Sequence, residues 1–480
     1  MLEHLEPKPV WKYFEQFCAI PHPSGCEQAA ARFIIDVAAK LGLPAITDAT
    51  GNILVRKKGT AGYTDKSPVV LQSHLDMVAQ KNSTTKHDFT KDPIQPYIDG
   101  EWVRARNTTL GADNGIGVAI ACAVLENNEI SHPPIEALFT LDEERGMTGA
   151  FGMSPDLLTG KRLINLDTEN EQELCIGCAG GTDIVALLSV TRTPPTPERT
   201  GAEISIRGLS GGHSGMEIHL GRGNALKLAA RLLADLSSHI DLQIASLQGG
   251  SARNAIPREA FITVAIRPSD SEALKKAAMS MEKTLRSELG AADPGLSISI
   301  AETALPKQVL DMTSSKRLVA ALAGCPYGVI RMSASMPGVV ETSNNLSIVT
   351  PIPEGFRVEC MLRSSLDSAM ADLRKRVSTV FTDAQAAVTI GNSYPGWQPE
   401  PGSRLLAIMK QAYAAVHGRE PEVVAVHAGL ECGIIGAKYP GMELISCGPT
   451  IRLAHSPDEQ MNIPSVERFW RCMVEGLRRL

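Results

Sequence analysis

The chain has 480 residues, 43% of them hydrophobic and 21% charged, with a formal net charge of −6. That length exceeds one ordinary core and predicts two or three domains. The acidic balance argues against a nucleic-acid scaffold, and the longest clean apolar stretch, Ile116 to Leu125, falls far short of the roughly 20 residues that cross a bilayer. The stretch from Met1 to Pro7 has neither the basic start nor the apolar core of a signal peptide, so cytoplasmic residence is expected. Ten cysteines without a framework spacing suit thiols in a reducing compartment.

In chain order, Glu27 to Leu41 has a helical pattern, and Val69 to Leu71 is a short buried strand that leads into His74-Leu75-Asp76. Gly111-Ala112-Asp113-Asn114-Gly115 then opens a helix over Ile116 to Asn127. Strands Ile135 to Thr140 and Leu163 to Leu166 run into Asp142-Glu143-Glu144 and Asp167-Thr168-Glu169. The segment Glu173 to Gly181 reads as a strand ending in a glycine-rich turn. Its Cys175 and Cys178 could pair on zinc, but no second such pair exists, and two small buried residues are the better reading.

After the proline-rich connector Thr193 to Pro197 come strand Ala202 to Arg207, helix Asn224 to Leu236 and strand Ala260 to Arg267. A second set follows: helix Lys316 to Ala323, strands Ser347 to Thr350 and Arg357 to Arg363, and helix Ser368 to Phe381. The chain returns through Ser403 to Val416, a strand Glu443 to Ser446, the loop His455-Ser456-Pro457-Asp458-Glu459 and a helix from Val466. The expected fold is α/β: a discontinuous catalytic domain, residues 1–180 and 395–480, with a mostly parallel sheet and flanking helices. Residues 181–394 form an inserted α+β lid of two similar halves. The catalytic domain must be discontinuous if His455 is to meet His74.

Each motif alone has a plain alternative. His74 and Asp76 share one side of an extended segment, where a carboxylate can fix a ligand histidine's tautomer, but they also read as a polar strand end. Asp113 either caps its helix or, between its glycines, bridges two ions. Glu143 and Glu144 divide naturally into a proton shuttle and a ligand, although most acidic pairs are solvated turns. Three carboxylates and one hydroxide would balance two dications, which eases burial of the assembly. His22, His87 and His427 lack the carboxylate two residues away that His74 has. Five such motifs, most of them just past a strand, point to a paired-metal hydrolase.

Those motifs, with Gly211-Gly212-His213-Ser214-Gly215, Arg253-Asn254-Ala255-Ile256-Pro257, Tyr394-Pro395-Gly396-Trp397 and His427-Ala428-Gly429-Leu430-Glu431-Cys432-Gly433, resemble the aminoacyl-histidine dipeptidases. These belong to the two-metal exopeptidase clan that includes carnosinases, tripeptidases and aminoacylases. The resemblance spans nearly the whole chain. It implies metal ligands His74, Asp113, Glu144, Asp167 and His455, with Asp113 bridging and a cis peptide after it. Glu143 would be general base and acid as metal-activated water attacks the peptide carbonyl, and Asp76 would orient His74. His213 would stabilise the oxyanion from the inserted domain, while Asn254, Arg363 and Gly429 would bind substrate. The implied cofactors are two Zn2+, with Co2+ or Mn2+ as substitutes. The implied substrates are unblocked dipeptides, Xaa-His preferred, and the implied assembly is a homodimer with no nucleic-acid or membrane partner. A tripeptidase or an N-acyl-amino-acid amidohydrolase would share every ligand. A non-catalytic binding protein is disfavoured by the intact Glu143.

Overall fold

A computed structural model describes residue 2 and residues 4–480; Met1 and Glu3, part of the stretch read above for a signal peptide, lie outside the described residues. The chain divides into two compact units. The first comprises Met1–Gly177, Trp397–Ala425 and Leu430–Leu480, and the second comprises Cys178–Gly396 and Val426–Gly429. The short segment Val426–Gly429 thus goes with the second unit, where the Ala179 N–H donates to the carbonyls of Val426 and Ala428 at 3.1 and 3.0 Å.

The first unit is built on an eight-stranded sheet. Its centre is parallel, in the order Ile135–Thr140, Val69–His74, Arg162–Asn165, Glu443–Ser446. The strands beside this centre are antiparallel to it: Ile53–Lys57 on one side and Glu173–Cys178 on the other. Every residue of Val69–His74 and Ile135–Thr140 is buried, as expected of central parallel strands. Cys175 and Cys178 are buried within Glu173–Cys178. The helix Ala112–Glu126 packs on Val69–His74 and is buried over nearly its whole length, so its sequence carries no amphipathic stripe. A separate four-stranded sheet, ordered Ile451–Arg452, Gln460–Asn462, Trp102–Ala105, Pro96–Asp99, holds the His455 loop between its first two strands.

The second unit is built mainly on a nine-stranded antiparallel sheet with a repeat in its topology, Gly328–Met332 pairing with Val340–Ile352 outside the repeat. Its first half takes strands Thr200–Arg207, Leu242–Gly249, Ala260–Ile266 and Ser297–Thr303, with helices Ala225–His239 and Ser271–Leu289 between them. Its second half takes Gly180–Ser189, Val340–Ile352, Gly355–Ser364 and Ala386–Tyr394, with helices Met312–Gly324 and Asp367–Asp383. Numbered within each half, both follow the spatial order 4-1-3-2, and they join edge to edge through their second strands at Gly249 and Val349. The four helices and the strand residues beneath them, Ile184, Leu346, Cys360 and Leu362 among them, form one apolar core.

Among the described residues no helix is long and apolar enough to cross a membrane.

Candidate metal centre

The carboxyl ends of the parallel strands gather the acidic and histidine motifs, where open α/β sheets place their ligand sites. His74 ends its strand and is buried. Its Nδ1 lies 3.0 Å from the Asp76 carbonyl, which places a proton on Nδ1 and turns Nε2 towards the carboxylates. That Nε2 stands 3.1 Å from Asp113 Oδ1 and 3.3 Å from Asp167 Oδ1. His455 Nε2 stands 3.1 Å from Asp113 Oδ2 and 2.9 Å from Glu144 Oε1. The Asp113 carboxylate therefore gives one oxygen to each of two sets, His74 with Asp167 and His455 with Glu144.

Local backbone explains this placement. Asp113 and Asn114 leave helical geometry inside the first turn (φ −84°, ψ 106° at Asp113), and the peptide between them is cis. The Asp113 carboxylate faces the two imidazoles, which takes it away from the capping alternative. Gly111 adopts φ 68°, and a Cβ there would stand 2.9 Å from Met77 Sδ, so only glycine suits this approach. Glu143 and Glu144 open the short helix Glu143–Gly146. The Asp76 carboxylate does more than flank His74 at 3.3 Å: it accepts the N–H groups of Glu143 at 2.9 Å and Glu144 at 3.2 Å, and the Ser24 hydroxyl at 2.8 Å. One side chain thus ties the His74 strand end to the Glu143-Glu144 turn.

Charge is unbalanced here in a way that fits cations. Burial works against a charged His74, yet Asp167, Asp113 and Asp76 together draw its pKa well above the usual imidazole range. Asp113 and Glu144 draw His455 up to about 11. Burial, helped by Asp113 and Glu144 against His74, pushes Asp167 up to about 6. Asp167 Oδ1 is a buried acceptor without a hydrogen-bond donor. One ligand atom from each of His74, Asp113 and Glu144 fits within 4.8 Å of the others. Mixed imidazole and carboxylate donors around such an unsatisfied acceptor suit divalent transition metals.

Residues 204–293 match the peptidase dimerisation domain of M20 peptidases. Over 479 residues the chain is 43% identical to the cytosol non-specific dipeptidase of Escherichia coli strain K12, a match that spans 100% of this chain and 99% of that protein. The chain belongs to the M20 family of metallopeptidases, in its dipeptidase branch. The crystal structure of aminoacylhistidine dipeptidase from Vibrio alginolyticus superposes with a TM-score of 0.94 at 45% identity, covering 99% of this chain and 97% of that one. Aminopeptidase PepT from Bacillus cereus, at 15% identity and a TM-score of 0.57 with 99% of each chain covered, shares the fold. The protein is accordingly a peptidase of the hydrolase class, and its clustered imidazoles and carboxylates support a two-metal site.

The second unit carries the remaining residues singled out in the sequence. His213 is half-buried, and its Nδ1 accepts the N–H groups of Met216 at 3.0 Å and Gly215 at 3.3 Å. The ring proton is therefore on Nε2. The exposed Asn254 gives its carbonyl to the Ser214 N–H at 2.8 Å, so the His213 and Asn254 loops are joined. Arg363 is buried and donates through Nη1 to the Tyr394 hydroxyl at 3.1 Å. Gly429 is half-buried in the segment Val426–Gly429.

Two buried acids escaped the sequence reading. Glu431 accepts from Gln72 at 2.6 Å and Thr140 at 2.7 Å, two residues below His74 and at the end of the strand before Glu143. Glu459 accepts four successive backbone N–H groups, those of Leu110, Gly111, Ala112 and Asp113, at 2.7 to 3.3 Å. Both lie in motifs of the sequence, but an acid whose burial depends on distant partners looks like a solvated one until those partners are known. Glu459→Ala strands those donors and is expected to cost about 3 kcal/mol or more, since each unsatisfied buried donor costs about 1–3 kcal/mol. It should also weaken metal binding through Asp113. Chemical denaturation together with metal analysis checks both effects.

Proposed function

We propose that the protein hydrolyses unblocked dipeptides in the cytoplasm, prefers Xaa-His, and works as a homodimer with two zinc ions, Co2+ or Mn2+ being able to substitute. The observation that carries this reading is the Asp113 carboxylate shared between two histidine–carboxylate sets. His74, Asp113 and Asp167 would hold one ion, and Asp113, Glu144 and His455 the other. When bound, such a pair of cations polarises the peptide carbonyl and lowers the pKa of water.

The chain's own residues would do the rest. Among the described residues neither imidazole pairs with Glu143, which leaves it for proton transfer: it takes a proton from water and returns it to the leaving amine. Burial raises the Glu143 pKa, His74 opposes this, and Asp167, Glu431 and Glu144 add to it, so the group is held well above the ordinary carboxylate range. That suits a residue that must carry a proton to an amine. Asp76 positions both His74 and the Glu143-Glu144 backbone. His213, with its proton on Nε2, is a neutral donor for the oxyanion. Arg363, Asn254 and Gly429 bind the substrate's C-terminal end, where a guanidinium suits a carboxylate.

A panel of dipeptides, tripeptides and N-acetyl amino acids tests the reading. Dipeptides, Xaa-His foremost, should be cleaved with the highest kcat/KM. Faster tripeptide cleavage would make the protein a tripeptidase, and N-acetyl substrates would make it an amidohydrolase. Metal or peptide binding with no turnover would make it a binding protein.

A further inference from the structure

The sheet of the second unit is covered by helices on one face only. Leu362 belongs to the helix-covered core, so Arg363, one residue on, points to the other face. Strand register places Ser343 opposite Arg363, Arg363 opposite Gly181, and Gly181 opposite Tyr394, one row across four neighbouring strands. A Cβ on Gly181 would lie 2.5 Å from the Tyr394 ring, so the bare glycine lets that ring cross to Arg363. His427 enters the row from its own segment, its Nε2 2.7 Å from Ser343 Oγ. At Gly215 a Cβ would lie 2.1 Å from the His427 carbonyl oxygen, 3.0 Å from Arg363 Nε and 3.1 Å from His213 Cε1. Two side chains, those of Arg363 and His213, and the His427 backbone therefore meet over one glycine.

Two polar atoms in this cluster lack partners. Arg363 is 4% exposed and His427 6%. Yet Arg363 Nε and His427 Nδ1 are both buried without a hydrogen bond. The carboxylate of Asp183, nearby on the same face, pairs with Arg253 through Oδ2 and keeps Oδ1 without a hydrogen bond. Burial, with Arg363 and His213 beside it, pushes His427 down to about 3, so the ring is neutral and carries one proton. When Ser343 donates to Nε2, that proton sits on Nδ1. The cluster then offers two N–H donors, one of them charged, and neither makes a hydrogen bond within it, although the Val340 carbonyl lies beside the His427 ring.

We propose that His427 is a second donor, beside Arg363, for the terminal carboxylate of the dipeptide, with Ser343 setting its tautomer. This rests on the reading that Arg363 binds that carboxylate. The terminal carboxylate is the anionic acceptor of the substrate, its two oxygens can take both N–H groups at once, and it selects this tautomer because the reverse one turns a lone pair towards it.

The test compares a dipeptide such as Ala-His with its C-terminal amide, on metal-loaded enzyme, reading KM for the acid and the inhibition constant of the amide as its competitor. His427→Ala should raise KM for the acid about tenfold, the value of one charge-assisted hydrogen bond, and leave the amide's constant unchanged. His427→Asn, which keeps a donor, should recover part of the loss. Equal weakening of acid and amide in both variants would make His427 structural, and unchanged constants would remove it from the site. Arg363→Ala separates the two layers. If it leaves the acid–amide preference intact, the carboxylate reading of Arg363 fails; if it abolishes the preference while His427→Ala does not, only the proposal for His427 fails.

Discussion

Glu143→Gln should keep both metal ions and lose about two to four orders of magnitude in turnover, the usual contribution of a positioned general base. The substitution preserves volume and hydrogen-bonding reach but removes the only step assigned to Glu143, proton transfer. Its neighbour should fail differently. Glu144 Oε1 faces His455 and the shared Asp113 carboxylate, so Glu144→Gln weakens an anionic ligand and one ion should bind less tightly. Added metal should restore part of that activity and none of the activity lost in Glu143→Gln. His455→Ala should follow the Glu144 pattern. Metal analysis and dipeptide hydrolysis on the three purified variants distinguish the roles. Near-normal turnover in Glu143→Gln, or metal loss there and not in Glu144→Gln, would reverse the assignment.

His213→Ala should fold and bind metal as the parent does, with turnover lower by about 100-fold or more, as for removal of one oxyanion donor. The basis is the ring's tautomer: with Met216 and Gly215 donating to Nδ1, Nε2 must be the donor. Burial, followed by Arg363, lowers the His213 pKa, so the ring stays neutral while it donates. The loss should appear mainly in kcat, because the oxyanion exists only as the reaction proceeds. An unchanged kcat, measured at saturating dipeptide, would make His213 a bystander.

Much of the metal centre was legible because each motif follows a buried strand. Val69–His74 is apolar through Leu71, where the sequence reading ends the strand, and the polar Gln72, Ser73 and His74 extend it by three residues. The helix after Asp113 was less clear at its start. It begins at Ala112, but Asp113 and Asn114 are non-helical, and regular periodicity starts only near Ile116. The strand Val340–Ile352 was read from Ser347 onward, because Glu341 to Asn345 are polar. Those residues are buried through side-chain partners on other strands and loops: Asn345 reaches the carbonyls of Arg253 and Ala255, and Ser343 reaches His427. No local pattern encodes that. The nineteen-residue helix Ser271–Leu289 passed unread because only Leu274, Ala278 and Leu285 are buried along it. The four-stranded sheet that holds the His455 loop is made of strands of two to four residues, too short to show alternation. Glu431 and Glu459 were invisible for a related reason, since their burial depends on donors far away in sequence.

The proposed mechanism requires one carboxylate, Asp113, to serve two metal ions. Zinc titration of metal-free protein, followed by calorimetry and by metal analysis after gel filtration, tests it most directly. The wild-type protein should bind two ions per chain, and Asp113→Asn, nearly isosteric but uncharged, should weaken both because each set loses its shared ligand. A single ion per chain in the wild type, or two tightly held ions in Asp113→Asn, would contradict it.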